Sequence, residues 1–161
     1  MTSREIIDLL KLEPLTIEGG YFRRTYCSKL EAKSPAGVRP MGSAIYYLLE
    51  GEDFSEMHTL PSDELFHFYL GDPVEMLQLY PDGSSARFVL GQDLAKGELL
   101  QCLAPGGVWQ GTQLLPGGAF AVLGCTVTPG FEYEDYSNAE AEELIAKWPH
   151  EAALIRRLSR R

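Results

Sequence analysis

Turns that combine proline with glycine divide the second half of the chain into short apolar segments. These turns begin at Pro81, Pro105, Pro116 and Pro129, and in each a glycine follows within two residues. Proline and glycine favour tight turns and are uncommon inside strands. Apolar segments this short, bounded by such turns, are typical of β-strands. About eight of them between residues 43 and 127 predict a mainly β protein, either a β-sandwich or a jelly-roll barrel.

Helical patterns flank the predicted strands. Thr2 and Glu5 have the spacing of a capping box, and the apolar residues that follow fit a helix over about residues 3–12. A second capping box, Ser137 with Glu140, opens a helical region over about residues 138–160. We therefore expect a single domain over residues 1–161, with a barrel core over about residues 17–136.

The segment from Ser28 to Pro40 is polar and contains two prolines. This composition predicts the longest loop of the chain, one that could reach across to a partner subunit.

The charge and the apolar pattern exclude several classes of partner. Lys and Arg number 14 against 23 Asp and Glu, which gives a net charge of −9. Such a charge repels phosphate backbones and anionic lipids, so we expect neither nucleic acid nor membrane as a partner. The chain has no apolar run long enough for a bilayer span and no signal-peptide pattern, which predicts a cytoplasmic protein. Cys27, Cys102 and Cys125 form no CxxC pair and are expected to be buried, reduced thiols.

The stretch from His58 to Gly71 gathers the residues best suited to chemistry. It holds two of the three histidines, His58 and His67, together with the acidic pair Asp63-Glu64. Strict alternation along a strand places His67 on the face opposite Glu64. A general base, a ligand contact or a metal site is most reasonably sought here.

The spacing of this stretch resembles the first motif of the cupin family. That motif has a glycine, His-x-His, three or four residues, a glutamate, six residues and a glycine. His58, Glu64 and Gly71 match it, whereas Leu60 occupies the second histidine position. Pro105-Gly-Gly107-Val-Trp-Gln110 resembles the second motif, proline-x-glycine, two residues and histidine, with Gln110 in place of the histidine.

Longer phrases resemble the DUF985 or Cupin_5 group of uncharacterised cupin-like proteins. They include Gly-Gly-Tyr-Phe-Arg-Arg24, Ser-Asp-Glu-Leu-Phe-His-Phe-Tyr-Leu-Gly-Asp72 and Val-Thr-Pro-Gly-Phe-Glu-Tyr-Glu-Asp135. The resemblance implies a mainly β, double-stranded β-helix (an RmlC-like jelly-roll barrel) with short N- and C-terminal helices. It also implies an internal pocket and a homodimer. It implies no particular reaction, because the group has none assigned.

Metal-binding cupins hold a divalent ion with three histidines and one glutamate. Leu60 has no ligand atom, and the Gln110 amide is a weaker ligand than imidazole. We therefore expect no cofactor, with weak binding of a divalent metal at His58 and Glu64 as the alternative. His67 would replace a missing ligand only if a bulge turned it inward.

Without a metal, His58 and Glu64 are expected to form a buried pair that shares a charge-assisted hydrogen bond and shifts both pKa values. Such a pair suits ligand contact, general-base catalysis or a structural role. Further candidates for ligand contact are His67, Gln101 in an apolar strand, Trp109 as a stacking surface, Gln110, and the hydroxyls of Tyr47 and Tyr133. The alternatives are a hydrogen bond to the backbone for Gln101 and packing in the hydrophobic core for Trp109.

Three functions are consistent with these residues. The first is a small-molecule-binding cupin with a polar ligand, such as a carbohydrate or nucleotide, in its barrel. The second is a metal-independent epimerase or isomerase acting on a sugar or sugar nucleotide. In that case His58 abstracts a proton beside a carbonyl, Glu64 orients His58, and a tyrosine returns the proton to the other face. The third is a structural or storage-type cupin without catalysis.

Overall fold

The computed structural model describes residues 1–160. Within that range two antiparallel sheets pack face to face, and helices cover parts of their outer surfaces. The six-stranded sheet contains β1 (Glu13–Pro14), β2 (Tyr21–Cys27), β5 (Ser43–Glu50), β7 (Asp63–Gly71), β10 (Gln101–Ala104) and β12 (Phe120–Thr128). Its strand order is β1-β2-β5-β12-β7-β10.

The five-stranded sheet lies opposite. It contains β6 (Phe54–Thr59), β8 (Val74–Leu79), β9 (Ser85–Leu90), β11 (Trp109–Leu114) and β13 (Ser137–Asn138). The strand order β13-β6-β11-β8-β9 places strands that are distant in the chain beside one another. Both sheets take strands from both halves of the chain, as a jelly roll requires. The predicted mainly β jelly-roll fold is confirmed.

The main core lies between the two sheets, where inward side chains from both interdigitate. Alternation along β7 turns Phe66 and Phe68 inward, and these two side chains meet Met76, Leu90 and Leu123. All five are at most 6% exposed. Burial of side chains of this size stabilises the fold by roughly 1.5–3 kcal/mol each relative to exposure.

Helices cover parts of the outer faces. Helix α1 (Ser3–Leu10) begins at the predicted capping box, in which Thr2 and Glu5 bond each other's backbone amides. Its buried residues Ile6 and Ile7 pack on the six-stranded sheet. Helices α2 (Ala141–Lys147) and α3 (Ala152–Arg157) cover the five-stranded sheet, with Trp148 in their shared core. Short 3-10 turns lie at Leu94–Lys96, Tyr133–Asp135 and Pro149–Glu151. None of the helices in residues 1–160 has the length and apolar character that a bilayer span requires.

The expected long loop from Ser28 to Pro40 is instead a β-hairpin. Strands β3 (Glu31–Ser34) and β4 (Gly37–Pro40) pair with each other and with neither main sheet. Gly37 adopts a φ of 110°, which a turn between the strands can use because glycine lacks a Cβ. The hairpin is tied down by Arg39, whose guanidinium makes two hydrogen bonds, of 2.9 and 2.7 Å, to Asp135. The polar composition of residues 28–40 does not indicate this ion pair, because Asp135 is 96 residues away from Arg39 in the sequence.

The prediction of three buried thiols is wrong for one of them. Cys102 and Cys125 are buried, and Cys27 is exposed. Cys27 ends β2, where the strand leaves the cover of the opposite sheet and its last four residues are all exposed.

Candidate ligand-binding cavity

A cavity opens between the sheets beside the main core. Its volume is about 50 Å³. Strands of both sheets form its walls, together with the loop before β2 and the segment Phe131–Tyr136, which we call the rim segment. Most of the lining is apolar and includes Leu15, Ile17, Phe22, Ile45, Leu60 and Val127. The polar side chains that reach this cavity are therefore few, and each can be considered separately.

His58 lies on β6 and faces the cavity, with only 1% of its surface exposed. Its Nδ1 is 2.7 Å from the backbone carbonyl oxygen of Glu56. Because a carbonyl oxygen only accepts, Nδ1 carries the hydrogen, and Nε2 is the acceptor nitrogen when the ring is neutral. Nε2 has no hydrogen-bond partner among residues 1–160. The local backbone thus fixes the tautomer that a general base or a hydrogen-bond acceptor needs.

Glu64 faces the cavity from β7, in the opposite sheet, and is 7% exposed. Gln110 on β11 donates a hydrogen bond of 2.7 Å from Nε2 to Glu64 Oε2. Burial of the carboxyl group, reinforced by the negative charge of Glu18, raises the pKa of Glu64 to about 7. The hydrogen bonds from Gln110 and Cys125 oppose this rise, as does His58 whenever its ring carries a proton. Glu64 is therefore able to hold or release a proton near neutral pH.

Tyr136, at the end of the rim segment, stacks on His58. The two ring centroids are 5.0 Å apart and the rings are inclined by 19°. The Tyr136 hydroxyl is buried and has no hydrogen-bond partner in the described residues. Burial, together with the carboxylates of Glu18 and Glu56, raises the pKa of Tyr136, so the phenol stays protonated at neutral pH. It is a hydrogen-bond donor without an acceptor.

Two oppositely charged side chains complete the lining. Glu18, in the loop before β2, accepts a short hydrogen bond from Ser55. Arg24, on β2, is exposed and also lines the cavity. Alternation along β2 puts Arg24 on the same face as Phe22, the inward face. The cavity therefore has carboxylates beside its histidine and a cation on another wall.

His67 and Gln101 lie outside this cavity. They face each other across β7 and β10 on the outer surface of the six-stranded sheet. Gln101 Nε2 donates to His67 Nδ1 at 3.0 Å, and His67 Nε2 lies 3.1 Å from Thr126 Oγ1. Partial burial lowers the pKa of His67. The register shift in β7 begins beyond His67, so alternation holds as far as this residue. The hydrogen-bond partner of Gln101 is thus the side chain of His67 on the sheet surface, outside the cavity.

The other sequence candidates are dispersed. Trp109 is half-buried and packs under the C-terminal helices, on the side of β11 away from the cavity. Tyr47 is buried, and its hydroxyl donates to the Gly19 carbonyl at 3.0 Å. Tyr133 lines the cavity and is 56% exposed, with its ring edge-to-face against Phe131. His58, Glu64, Gln110 and Tyr133 are thus brought together, while His67, Gln101, Trp109 and Tyr47 lie elsewhere.

The predicted direct hydrogen bond between His58 and Glu64 is absent from residues 1–160. The Glu56 carbonyl accepts from His58, and the Gln110 amide bonds Glu64. Leu60 lines the same cavity with an apolar side chain. Within the described residues no three His, Cys, Asp or Glu side chains are grouped so that they could hold a metal ion. Of the four residues with which a metal-binding cupin holds its ion, this chain has His58 and Glu64, with Leu60 and Gln110 at the other two positions.

Sequence reasoning missed Tyr136, Arg24 and Glu18 as cavity residues. Tyr136 belongs to an aromatic and acidic segment far from the histidines in the chain, and only the β13–β6 pairing brings it to His58. For Arg24 a signal was present, because alternation with Phe22 along β2 already placed both on one face.

The family model described as Cupin_5, Cupin superfamily (DUF985), matches residues 4–139. The chain belongs to the Cupin_5 family.

Relatives of this Cupin_5 protein come from distant organisms. An uncharacterized protein of Saccharomyces cerevisiae is 29% identical over an alignment of 142 residues, and the match covers 80% of this chain and 71% of the yeast protein. The crystal structure of protein SO0799 from Shewanella oneidensis is 34% identical, with a TM-score of 0.89, and the match covers 99% and 98% of the two chains. A hypothetical protein from Leishmania major is 28% identical, with a TM-score of 0.92 and 99% of both chains covered.

More distant similarity is to oxalate decarboxylase of Bacillus subtilis. One of its structures, determined at pH 4.6, is 17% identical with a TM-score of 0.57. The match covers 88% of this chain and 35% of the decarboxylase. At this level of identity the similarity concerns the fold alone, and it supports the assignment of a cupin jelly roll.

Proposed function

We propose that this Cupin_5 protein binds a small molecule in the cavity between its sheets. The observation that carries the proposal is the buried Tyr136 hydroxyl, which has no hydrogen-bond partner within residues 1–160, beside the acceptor nitrogen Nε2 of His58 in a mostly apolar cavity. Buried polar groups nearly always have a hydrogen-bond partner, and leaving one unpaired costs roughly 1–3 kcal/mol. A ligand group seated between these two atoms supplies the missing partner.

The lining narrows the kind of ligand. A carbohydrate carries hydroxyl groups around its whole ring, and the apolar walls at Ile17, Ile45 and Val127 would leave several of them unpaired. A molecule with polar groups at its ends and an apolar middle matches the lining better. The lining continues to the exposed side chains of Arg24 and Tyr133, so part of a ligand can lie outside the enclosed volume of about 50 Å³.

Native mass spectrometry of protein purified from its own source tests ligand binding directly. The expected result is a mass above that of the chain, which disappears on denaturation and is less abundant in the variant Tyr136→Phe. A thermal-shift screen of small molecules provides a second measurement, because a ligand at 100 times its Kd stabilises a protein by about 2.7 kcal/mol. If no compound stabilises the protein and no bound mass is found, the structural or storage role is favoured.

We propose proton transfer, of the isomerase type, as a second function. The tautomer of His58 leaves Nε2 able to accept a proton, and a carboxyl group with a pKa of about 7 stands nearby in Glu64. Tyr136 stacks on His58 and so lies on the same side of a ligand as the base. This arrangement favours return of the proton to the face from which it was taken, hence isomerisation over epimerisation. Solvent deuterium that enters a small α-hydroxy ketone with wild-type protein and not with His58→Ala would support it; equal incorporation in both would exclude His58 as the base.

We also propose a homodimer formed through the outer face of the six-stranded sheet. Exposed apolar side chains gather around its edge strand β10: Leu70 is 42% exposed, Leu100 47% and Leu103 48%. Exposed apolar patches and open strand edges both favour association. Light scattering coupled to size exclusion should give twice the chain mass for the wild type and the single-chain mass for Leu103→Glu. A monomeric wild type would contradict the proposal.

A further inference from the structure

Arg24 differs from the other arginines of the described chain. Five of them form salt bridges with carboxylates, namely Arg4, Arg39, Arg87, Arg156 and Arg157. Arg23 and Arg160 lie over the aromatic rings of Tyr46 and Phe54. Within residues 1–160 only Arg24 has neither kind of partner, although the chain has 23 acidic residues. A free guanidinium on a cavity wall suits a ligand carboxylate, which it can bind with two parallel hydrogen bonds.

The opposite side of the cavity repels an anion. Glu18 and Glu64 both line it, and the two interact closely enough for the charge of Glu18 to raise the pKa of Glu64. A ligand carboxylate placed there would meet two carboxyl groups in an environment with little water to screen them. The charges of the cavity therefore orient an anionic ligand, with its carboxylate toward Arg24.

A hydroxyl group matches the atoms at the acidic side. His58 Nε2 accepts a hydrogen bond, because Nδ1 holds the hydrogen, and Tyr136 donates one. A hydroxyl is both donor and acceptor, so one such group can satisfy both residues at once. A carbonyl oxygen would satisfy Tyr136 and leave Nε2 unpaired.

The two polar ends are separated by an apolar stretch of wall. Arg24 on β2 is opposite Ile45 on β5, and Ile45 is opposite Cys125 on β12. The next strand is β7, which carries Glu64. Three strand spacings of about 4.8 Å put the backbones of β2 and β7 about 14 Å apart. The side chains that line the cavity from the two intervening strands are mostly apolar and include Ile45 on β5 and Val127 on β12.

We infer that the ligand is a small hydroxy acid with an apolar chain, its carboxylate bound by Arg24 and its hydroxyl seated between His58 and Tyr136. This inference rests on the proposed ligand-binding function and specifies the chemical class of the ligand. An unbranched alkyl chain matches the apolar wall without bringing further polar groups against it, so 6-hydroxyhexanoate is a suitable probe. Hexanoate lacks only the hydroxyl of this probe, and 6-hydroxyhexanamide lacks only the charge.

Titration calorimetry with the three compounds tests the assignment. Loss of the charge should weaken binding by about tenfold, the effect of one charge-assisted hydrogen bond at a partly exposed site. Loss of the hydroxyl should weaken binding by at least as much, because His58 and Tyr136 then lose their shared partner. The variant Arg24→Gln should bind the acid about tenfold more weakly and the amide equally well. Arg4→Gln is the matched control, because it removes the same charge from an exposed site on α1 and should bind like the wild type.

The outcomes separate the ligand class from the function. Equal affinity for acid and amide, or an unchanged affinity in Arg24→Gln, would overturn the acid assignment. Binding of an uncharged sugar, together with no binding of the three compounds, would also overturn the acid assignment. The cavity would then still be a ligand-binding site. If neither these compounds nor a general screen of small molecules stabilised the protein, both the ligand class and the proposed function would be overturned.

Discussion

The side-chain amide of Gln110 bridges the two sheets by donating a 2.7 Å hydrogen bond to the carboxyl group of Glu64. The other end of the same amide, Oε1, is buried and has no hydrogen-bond partner within residues 1–160. A carboxylate accepts from the N–H of an amide, and a protonated carboxyl group donates to the oxygen. By rotating, Gln110 can serve both forms of Glu64, which has a pKa of about 7. The pair therefore tolerates a change of protonation near neutral pH.

Glu64 should make the stability of the protein depend on pH. Its pKa rises from 4.5 to about 7 on folding, so the folded state keeps a proton that the unfolded state releases between these values. The stabilisation is complete below pH 4.5 and is lost as the pH rises through about 7. The difference corresponds to roughly 3 kcal/mol in the free energy of unfolding. In Glu64→Gln this loss should disappear.

Urea unfolding from pH 4.5 to 8 measures the effect as the difference between wild type and Glu64→Gln. Taking the difference cancels the contributions of the other titrating groups. Glu142→Gln, at an exposed carboxylate on α2, is the control and should follow the wild-type curve. Parallel curves for wild type and Glu64→Gln would show that Glu64 titrates alike in both states.

Removal of a buried hydroxyl should have a different effect on the free energy of unfolding at Tyr47 than at Tyr136. Tyr47 donates to the Gly19 carbonyl, so Tyr47→Phe should lower the free energy of unfolding by about 1 kcal/mol. The Tyr136 hydroxyl has no partner within residues 1–160, so Tyr136→Phe should leave stability unchanged or raise it. Tyr136→Phe should nevertheless weaken ligand binding. Comparable losses of stability in both variants would mean that the Tyr136 hydroxyl is already satisfied without a ligand.

Much of the fold was predictable because its signals are local. Proline and glycine set the turns, so the strands between them could be located from their neighbours alone. The cupin spacing also brought His58, Glu64 and Gln110 together, since a motif records which strands become adjacent. The His67 side chain was correctly placed on the outer face by alternation along β7.

The missed features depend on contacts between distant segments. The hairpin over Glu31–Pro40 is anchored by Arg39 to Asp135, which is 96 residues away. The absent bond between His58 and Glu64 has a similar cause. His58 bonds the Glu56 carbonyl, and Glu64 bonds the Gln110 amide. A pattern of residue types does not show that these groups are placed closer to His58 and Glu64 than the two are to each other.

Arg39 should hold the rim segment in place. Its guanidinium is 7% exposed and also bonds Glu134 at 2.8 Å. Arg39→Ala would leave the buried Asp135 without its cation, so we expect a melting temperature lower by several degrees and faster proteolysis of the rim segment. Asp135→Ala in the Arg39→Ala background should restore part of the loss, because the unpaired carboxylate is then gone.

The exposed pair Arg156–Glu142 provides the comparison, since Arg156→Ala should change the melting temperature little. If Arg39→Ala behaved like Arg156→Ala, the hairpin would not anchor the rim segment.

Leu60 and Gln110 should be the two positions that keep this cavity from binding a metal in the manner of other cupins. Leu60 and His58 line the cavity together with Glu64, and Gln110 contacts Glu64 directly. The double substitution Leu60→His and Gln110→His would therefore bring three imidazoles and one carboxylate to one place, a donor set suited to divalent transition metals. We expect the double variant to bind one Mn²⁺ or Ni²⁺ per chain, measured by calorimetry and elemental analysis. Each single variant should bind at least tenfold more weakly, because it lacks one ligand. Adding His58→Ala to the double variant should abolish the gain. If the double variant folds and binds no more metal than the wild type, the four motif positions do not converge on a common point.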